Sequence, residues 1–123
     1  MEIIKGGQPT GSGPADRFTG AVFLDPLCDP EGSWTVGATI ARFAPGARTH
    51  WHTHPRGQLL WVVAGEGRCQ SEGAAVQVIR AGDIVRFSPG ENHWHGAAPT
   101  ASSAIWRSNR PTSRASPSAG DGR

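Results

Sequence analysis

Glycine and proline interrupt this chain so often that no stretch can hold one conformation for long. The breakers are Asp25-Pro26, Asp29-Pro30, Ala44-Pro45-Gly46, Pro55-Arg56-Gly57, Gly65-Glu66-Gly67, Gly73, Ala81-Gly82 and Ser88-Pro89-Gly90. Between them lie short β-prone runs: Phe18 to Asp25, Ser33 to Phe43, Arg48 to His54, Gln58 to Ala64, and Arg68 to Glu72. Ala74 to Arg80, Asp83 to Phe87, His93 to Ala97 and Ser102 to Arg107 continue the series. None carries the 3.6-residue periodicity of an amphipathic helix, and the spacing of turn residues is that of a sandwich or barrel. The expected class is all-β, with a hairpin about Gly73.

At 123 residues the chain has room for one domain. Residues 5–16 are rich in Gly and Pro, so positions 1–17 are expected to form a flexible arm and 18–107 the barrel. Residues 108–123 consist mainly of Ser, Arg, Pro, Ala and Gly, without Val, Ile, Leu or Phe. Such a segment buries too little apolar surface to offset its ordering entropy and is expected to be a disordered tail. The formal net charge is +2 and its basic residues are scattered, which gives nucleic-acid binding no support. No membrane span or signal peptide is apparent, and Cys28 and Cys69 read as reduced thiols, so the expected location is cytoplasmic. Five tryptophans in so short a chain suit a barrel core or a subunit interface, and a homodimer or homotetramer is expected.

All five histidines fall in two segments: His50, His52 and His54 in one, His93 and His95 in the other. Residues two apart on a strand share a face, so each set projects together, with Thr49, Trp51, Thr53 and Trp94 opposite. If both segments line one interior, the imidazoles converge. Clustered neutral imidazoles form a natural site for a divalent metal. Gln58 opens the next strand and is the remaining candidate ligand. Three imidazoles and one amide would suit Mn, Fe, Co, Ni or Zn and leave the ion its full charge as a Lewis acid.

The same residues resemble the two signature motifs of the cupin superfamily. Gly46, His52, His54, Gln58 and Gly65 stand at the positions of the first, with Gln58 in place of an acidic residue. Gly82, Gly90 and His93 match the second, although Ser88 replaces its proline and Ala97 its asparagine. The resemblance implies a small jelly-roll barrel. Within cupins, the segments from Gly13 to Gly20 and Phe43 to Thr49 are similar to the bacterial cupin hydroxynitrile lyases. So are Trp51-His52-Thr53-His54-Pro55, Gly57-Gln58 and Phe87 to Thr100. That resemblance implies a manganese ion held by His52, His54, Gln58 and His93. It also implies a pocket histidine in the last strand, where this chain has Ala104-Ile105-Trp106.

His95, two residues beyond a candidate ligand, is the first choice for an acid/base group; hydrogen bonding to a ligand is the other reading. His50 is a second catalytic candidate if it reaches the pocket mouth, and otherwise a surface residue. The leading functional expectation is a lyase acting on a small-molecule cyanohydrin, in equilibrium with an aldehyde and cyanide. A metal-dependent dioxygenase or other cupin oxidoreductase, and a non-catalytic cupin that binds a small molecule, are the alternatives.

Overall fold

The computed structural model describes residues 1–110 and contains ten strands and no α-helix among them. The strands are β1 (Gly11–Ser12), β2 (Phe18–Thr19), β3 (Val22–Cys28), β4 (Gly37–Phe43) and β5 (Arg48–Thr49). They continue as β6 (Gln58–Ser71), β7 (Gln77–Arg80), β8 (Ile84–Phe87), β9 (His93–Ala97) and β10 (Ser103–Asn109). All pairings are antiparallel. The all-β expectation holds. The expected tail overlaps the last strand, because Ser108 and Asn109 pair with β4; residues 111–123 lie outside the described part of the chain.

Two curled sheets share one strand. β6 runs fourteen residues. Its first half pairs with β8 and β10, which leads on to β4, β3 and β1. Its second half pairs with β7 and β9, which leads on to β5 and β2. The Gly65-Glu66-Gly67 turn expected from sequence is therefore a bend within one strand. Gly65 makes the bend with φ of 80°, and a Cβ there would sit 2.1 Å from the Ser102 carbonyl oxygen. Asp25-Pro26 likewise fails to end β3. Beyond the two pairs with β1, that edge of β3 asks for no N–H, so proline is tolerated.

The core lies between the sheets. Phe43, Leu60, Val62 and Ile105 are fully buried, and Phe18, Val22, Ala41, Ile79 and Phe87 pack around them. His93 and His95 belong to this same fully buried set, so the interior is apolar at one end and lined with imidazoles at the other. Alternation along β6 is regular: Gln58, Leu60 and Val62 point in, while Leu59, Trp61 and Val63 are exposed. Trp61 faces Ile84 on one side and Trp106 on the other, and Trp106 faces Ile40. This makes an apolar row across the outer surface. Cys28 and Cys69 are both free thiols.

Candidate metal centre

β5 ends at Thr49, the backbone bends at Trp51, and pairing resumes at His52. There His52 and His93 sit opposite one another and exchange both backbone hydrogen bonds, at 2.9 and 3.0 Å. The bend breaks the expected alternation. Thr49 and His52 both turn inward, while His50 and Trp51 are exposed, so His50 does not share a face with His52 and His54. Thr49, expected on the far face, is buried and its Oγ1 accepts a hydrogen bond from the His95 backbone N–H at 3.2 Å. The His54 carbonyl accepts from both Gly57 (3.1 Å) and Gly90 (3.0 Å), which ties together the two turns that flank the cluster.

Four imidazoles converge. Ring centroids are 4.4 Å apart for His52 and His93, 4.9 Å for His52 and His54, 5.6 Å for His54 and His93, and 5.8 Å for His52 and His95. Phe87 stacks on His93 at 3.6 Å, and Phe43 meets the His95 ring edge-on. The tightest group of ligand atoms belongs to His52, His93 and His95, all within 4.8 Å of one another. His95, read from sequence as an acid/base group or a hydrogen-bond partner of a ligand, thus stands among the closest donor atoms themselves.

Backbone carbonyls set the tautomers. His52 Nδ1 bonds the His50 carbonyl oxygen at 2.7 Å, and His93 Nδ1 bonds that of Glu91 at 2.9 Å. A carbonyl only accepts, so each Nδ1 carries the proton and each Nε2 presents a lone pair to the interior. Burial drives the His93 pKa down to about 4, with the Glu91 carbonyl partly opposing it. His95 is held well below the ordinary histidine value, first by burial and then by the charges of His52, His93, Arg107 and His54. His93 and His95 are therefore neutral at neutral pH, as metal-binding imidazoles must be.

The donor set fits a divalent transition ion. His93 Nε2 and Gln58 Oε1 lie 3.2 Å apart, both buried. With its proton on Nδ1, His93 offers no donor to Gln58, so two lone pairs converge as they do around a cation. The Gln58 amide nitrogen and both ring nitrogens of His95 are buried without a hydrogen-bond partner. No carboxylate is buried among the described residues, so nitrogen and amide oxygen are the donors on offer.

Two contributors were not singled out from sequence. Glu91 bonds the Ser71 hydroxyl and takes the Ser88 N–H at 2.7 Å, contacts that hold its carboxyl below the usual range. These contacts fix the turn whose carbonyl orients His93. Arg107 is the other. Ser103, Ile105 and Arg107 alternate inward along β10, and this period of two was the available signal. Ile105 takes the inward place in the last strand where a further histidine was looked for, and it is fully buried in apolar core.

Residues 39–106 match the cupin domain family, and the chain belongs to that family. Over 102 residues it is 59% identical to the (R)-mandelonitrile lyase of Granulicella tundricola, a span covering 81% of this chain and 77% of that one. A cupin-like protein of known structure from Thermotoga maritima is 37% identical, with a TM-score of 0.79 over 89% of this chain and 81% of that one. A cupin 2 conserved barrel domain protein from Rhodopseudomonas palustris, 14% identical, shares the fold alone, with a TM-score of 0.71 over 85% and 74% of the two chains.

Proposed function

We propose that this cupin is a metal-dependent lyase that cleaves cyanohydrins to an aldehyde and hydrogen cyanide, and forms them in reverse. The observation that carries this reading is a carboxylate-free donor cluster whose tightest group includes a fully buried, neutral imidazole, His95, with no hydrogen-bond partner on either ring nitrogen. Similarity to a protein named (R)-mandelonitrile lyase supplies the substrate class.

His52, His54, Gln58 and His93 would hold the ion, manganese first, with Fe, Zn, Ni or Co also compatible with these donors. When bound, it supplies Lewis acidity that lowers the pKa of the substrate hydroxyl. His95 accepts that hydroxyl proton on a ring nitrogen. The oxygen lone pair closes to a carbonyl, the bond to the nitrile carbon breaks, and its electron pair leaves as cyanide. His95, a weak base in this site, then returns the proton to cyanide. The buried walls of Phe43 and Phe87 keep bulk water from the imidazole. His50 lies outside the cluster, and we assign it no part.

Benzaldehyde release from mandelonitrile by manganese-loaded protein tests this reading. Release should exceed that of chelator-treated protein, and His95→Asn should lower it by at least about a hundredfold. Equal release with and without metal would overturn the proposal.

The same proposal includes a homodimer or homotetramer. The outward row of Ile84 and Trp61, both exposed, with the half-buried Trp106 and Ile40 supports it, since an apolar stripe of this kind is covered in most folded proteins. Trp61→Glu should shift sedimentation towards the monomer; an unshifted monomer in the parent chain would refute it.

A further inference from the structure

Three arginines reach one cavity on the outside of the barrel from three separate elements. Arg56 comes from the turn before β6, Arg86 from β8, and Arg110 from just past the end of β10. With Leu59, Trp106 and Ser108 they line a cavity of about 400 Å³. Arg86 stands directly opposite Leu59, and the Leu59 N–H donates to Ser108 Oγ at 3.0 Å, so one row across the sheet supplies the floor. The adjoining row of Ile84, Trp61, Trp106 and Ile40 gives the cavity Trp106 alone. Gln58 and Phe87 belong to the same wall but bury their side chains, and Phe87 stacks on His93, so the histidine cluster lies on the inner side.

All three guanidiniums are exposed, and none makes an ion pair or hydrogen bond to a described residue. Elsewhere on the sheets Arg42 is paired with Asp25, and Arg68 and Arg80 with Glu66. No carboxylate of the described residues lines this cavity. Glu2, Asp29 and Glu31 line a neighbouring one, and Val36 is the residue that the two have in common. Gathering like charges round one cavity costs free energy that an anion relieves and salt screens.

The lining narrows the kind of anion. Three guanidinium forks match the three terminal oxygens of a phosphate monoester, and their charge exceeds what one carboxylate can balance. The cavity is larger than a phosphate group, and Leu59 and Trp106 offer the remainder to an apolar or aromatic group. We infer that Arg56, Arg86 and Arg110 form an anion site for a small organic phosphate monoester, whose organic group lies on Leu59 and Trp106. The site stands on the outer surface and is independent of the lyase reading.

Calorimetric titration of the manganese-loaded protein with phenyl phosphate, inorganic phosphate and benzoate reads this site. Phenyl phosphate should bind most tightly of the three, and more weakly as salt is added. Arg86→Gln should lower its affinity about tenfold, the loss expected for one charged hydrogen bond, and the double change Arg56→Gln with Arg86→Gln at least about a hundredfold. Both side chains are exposed, so these variants should fold. Phosphate held at the metal centre instead would be lost in His52→Ala and untouched by Arg86→Gln, and that result overturns the site. So does equal affinity for phenyl phosphate and inorganic phosphate, or for the parent and the double variant. Self-association that Arg86→Gln disperses, without phosphate binding, would seat the acidic rim of a second copy in the cavity and overturn it too.

Discussion

His93 Nε2 and Gln58 Oε1 face each other across 3.2 Å with no proton between them, because the Glu91 carbonyl holds His93 in its Nδ1–H tautomer. An arrangement of two facing lone pairs is stabilised by a cation placed between them. Gln58→Glu should therefore tighten metal retention against a chelator, since it adds a negative charge to a neutral donor set. The same change should slow mandelonitrile cleavage by about tenfold or more, because a partly neutralised ion is the weaker Lewis acid. Elemental analysis after chelator dialysis, paired with the cleavage assay, checks both halves.

His52 is the hub of the cluster, with its ring 4.4 Å from that of His93 and 4.9 Å from that of His54. His52→Ala should lose most of its metal, a fall of at least about tenfold in the metal content retained through dialysis. The backbone pair to His93 does not need the side chain, so the fold should survive. Equal metal in parent and variant would refute the site.

Acid should destabilise the metal-free protein well above the carboxylate range. In the folded chain the His93 pKa is about 4 and that of His95 is lower than usual, while unfolded histidines titrate near 6.5. Between those values the unfolded state binds more protons, so stability falls as pH drops from about 6.5 towards 4. The expected slope approaches roughly 1.4 kcal/mol per pH unit for each such histidine. It should vanish above pH 7. Urea melts from pH 7.5 to 4.5, compared with His95→Asn, measure it.

Leu60 and Leu59 are neighbours on β6 with opposite fates, one fully buried and the other on the outer surface. Leu60→Ala should cost about 2–5 kcal/mol through the cavity it leaves, and Leu59→Ala less than about 1 kcal/mol in the monomer. Gly65→Ala should be worse than either. It combines a left-handed φ with a contact to backbone that cannot yield. Denaturant midpoints of the three variants give the order directly.

Much of the site was readable because ligands on strands obey a period of two. His52 with His54, and His93 with His95, were placed together by spacing, and β9 begins and ends where the sequence suggested. What failed was the assumption that the period survives a bend. His50 was grouped with His52, yet the chain leaves the ladder at Trp51 and the parity resets. Gly65 and Gly67 looked like a reversal because glycine permits one, but whether a left-handed glycine turns the chain back or only bends it is decided by the strands beside it. Here β10 and β9 claim the two halves of β6. Arg107 is illegible in the sequence for another reason. A charged residue near a polar tail reads as surface until a neighbouring wall encloses it.

β6 is the strand that both sheets have in common. Neither sheet can peel away on its own, since releasing one unpairs half of a strand whose other half is the spine of the second. The barrel thus lacks a seam between its walls. Amide protons of β8, β9 and β10 should exchange together through one opening event. A pocket built this way is held by connectivity, with the histidine-bearing strand β9 anchored along the same spine that carries Gln58.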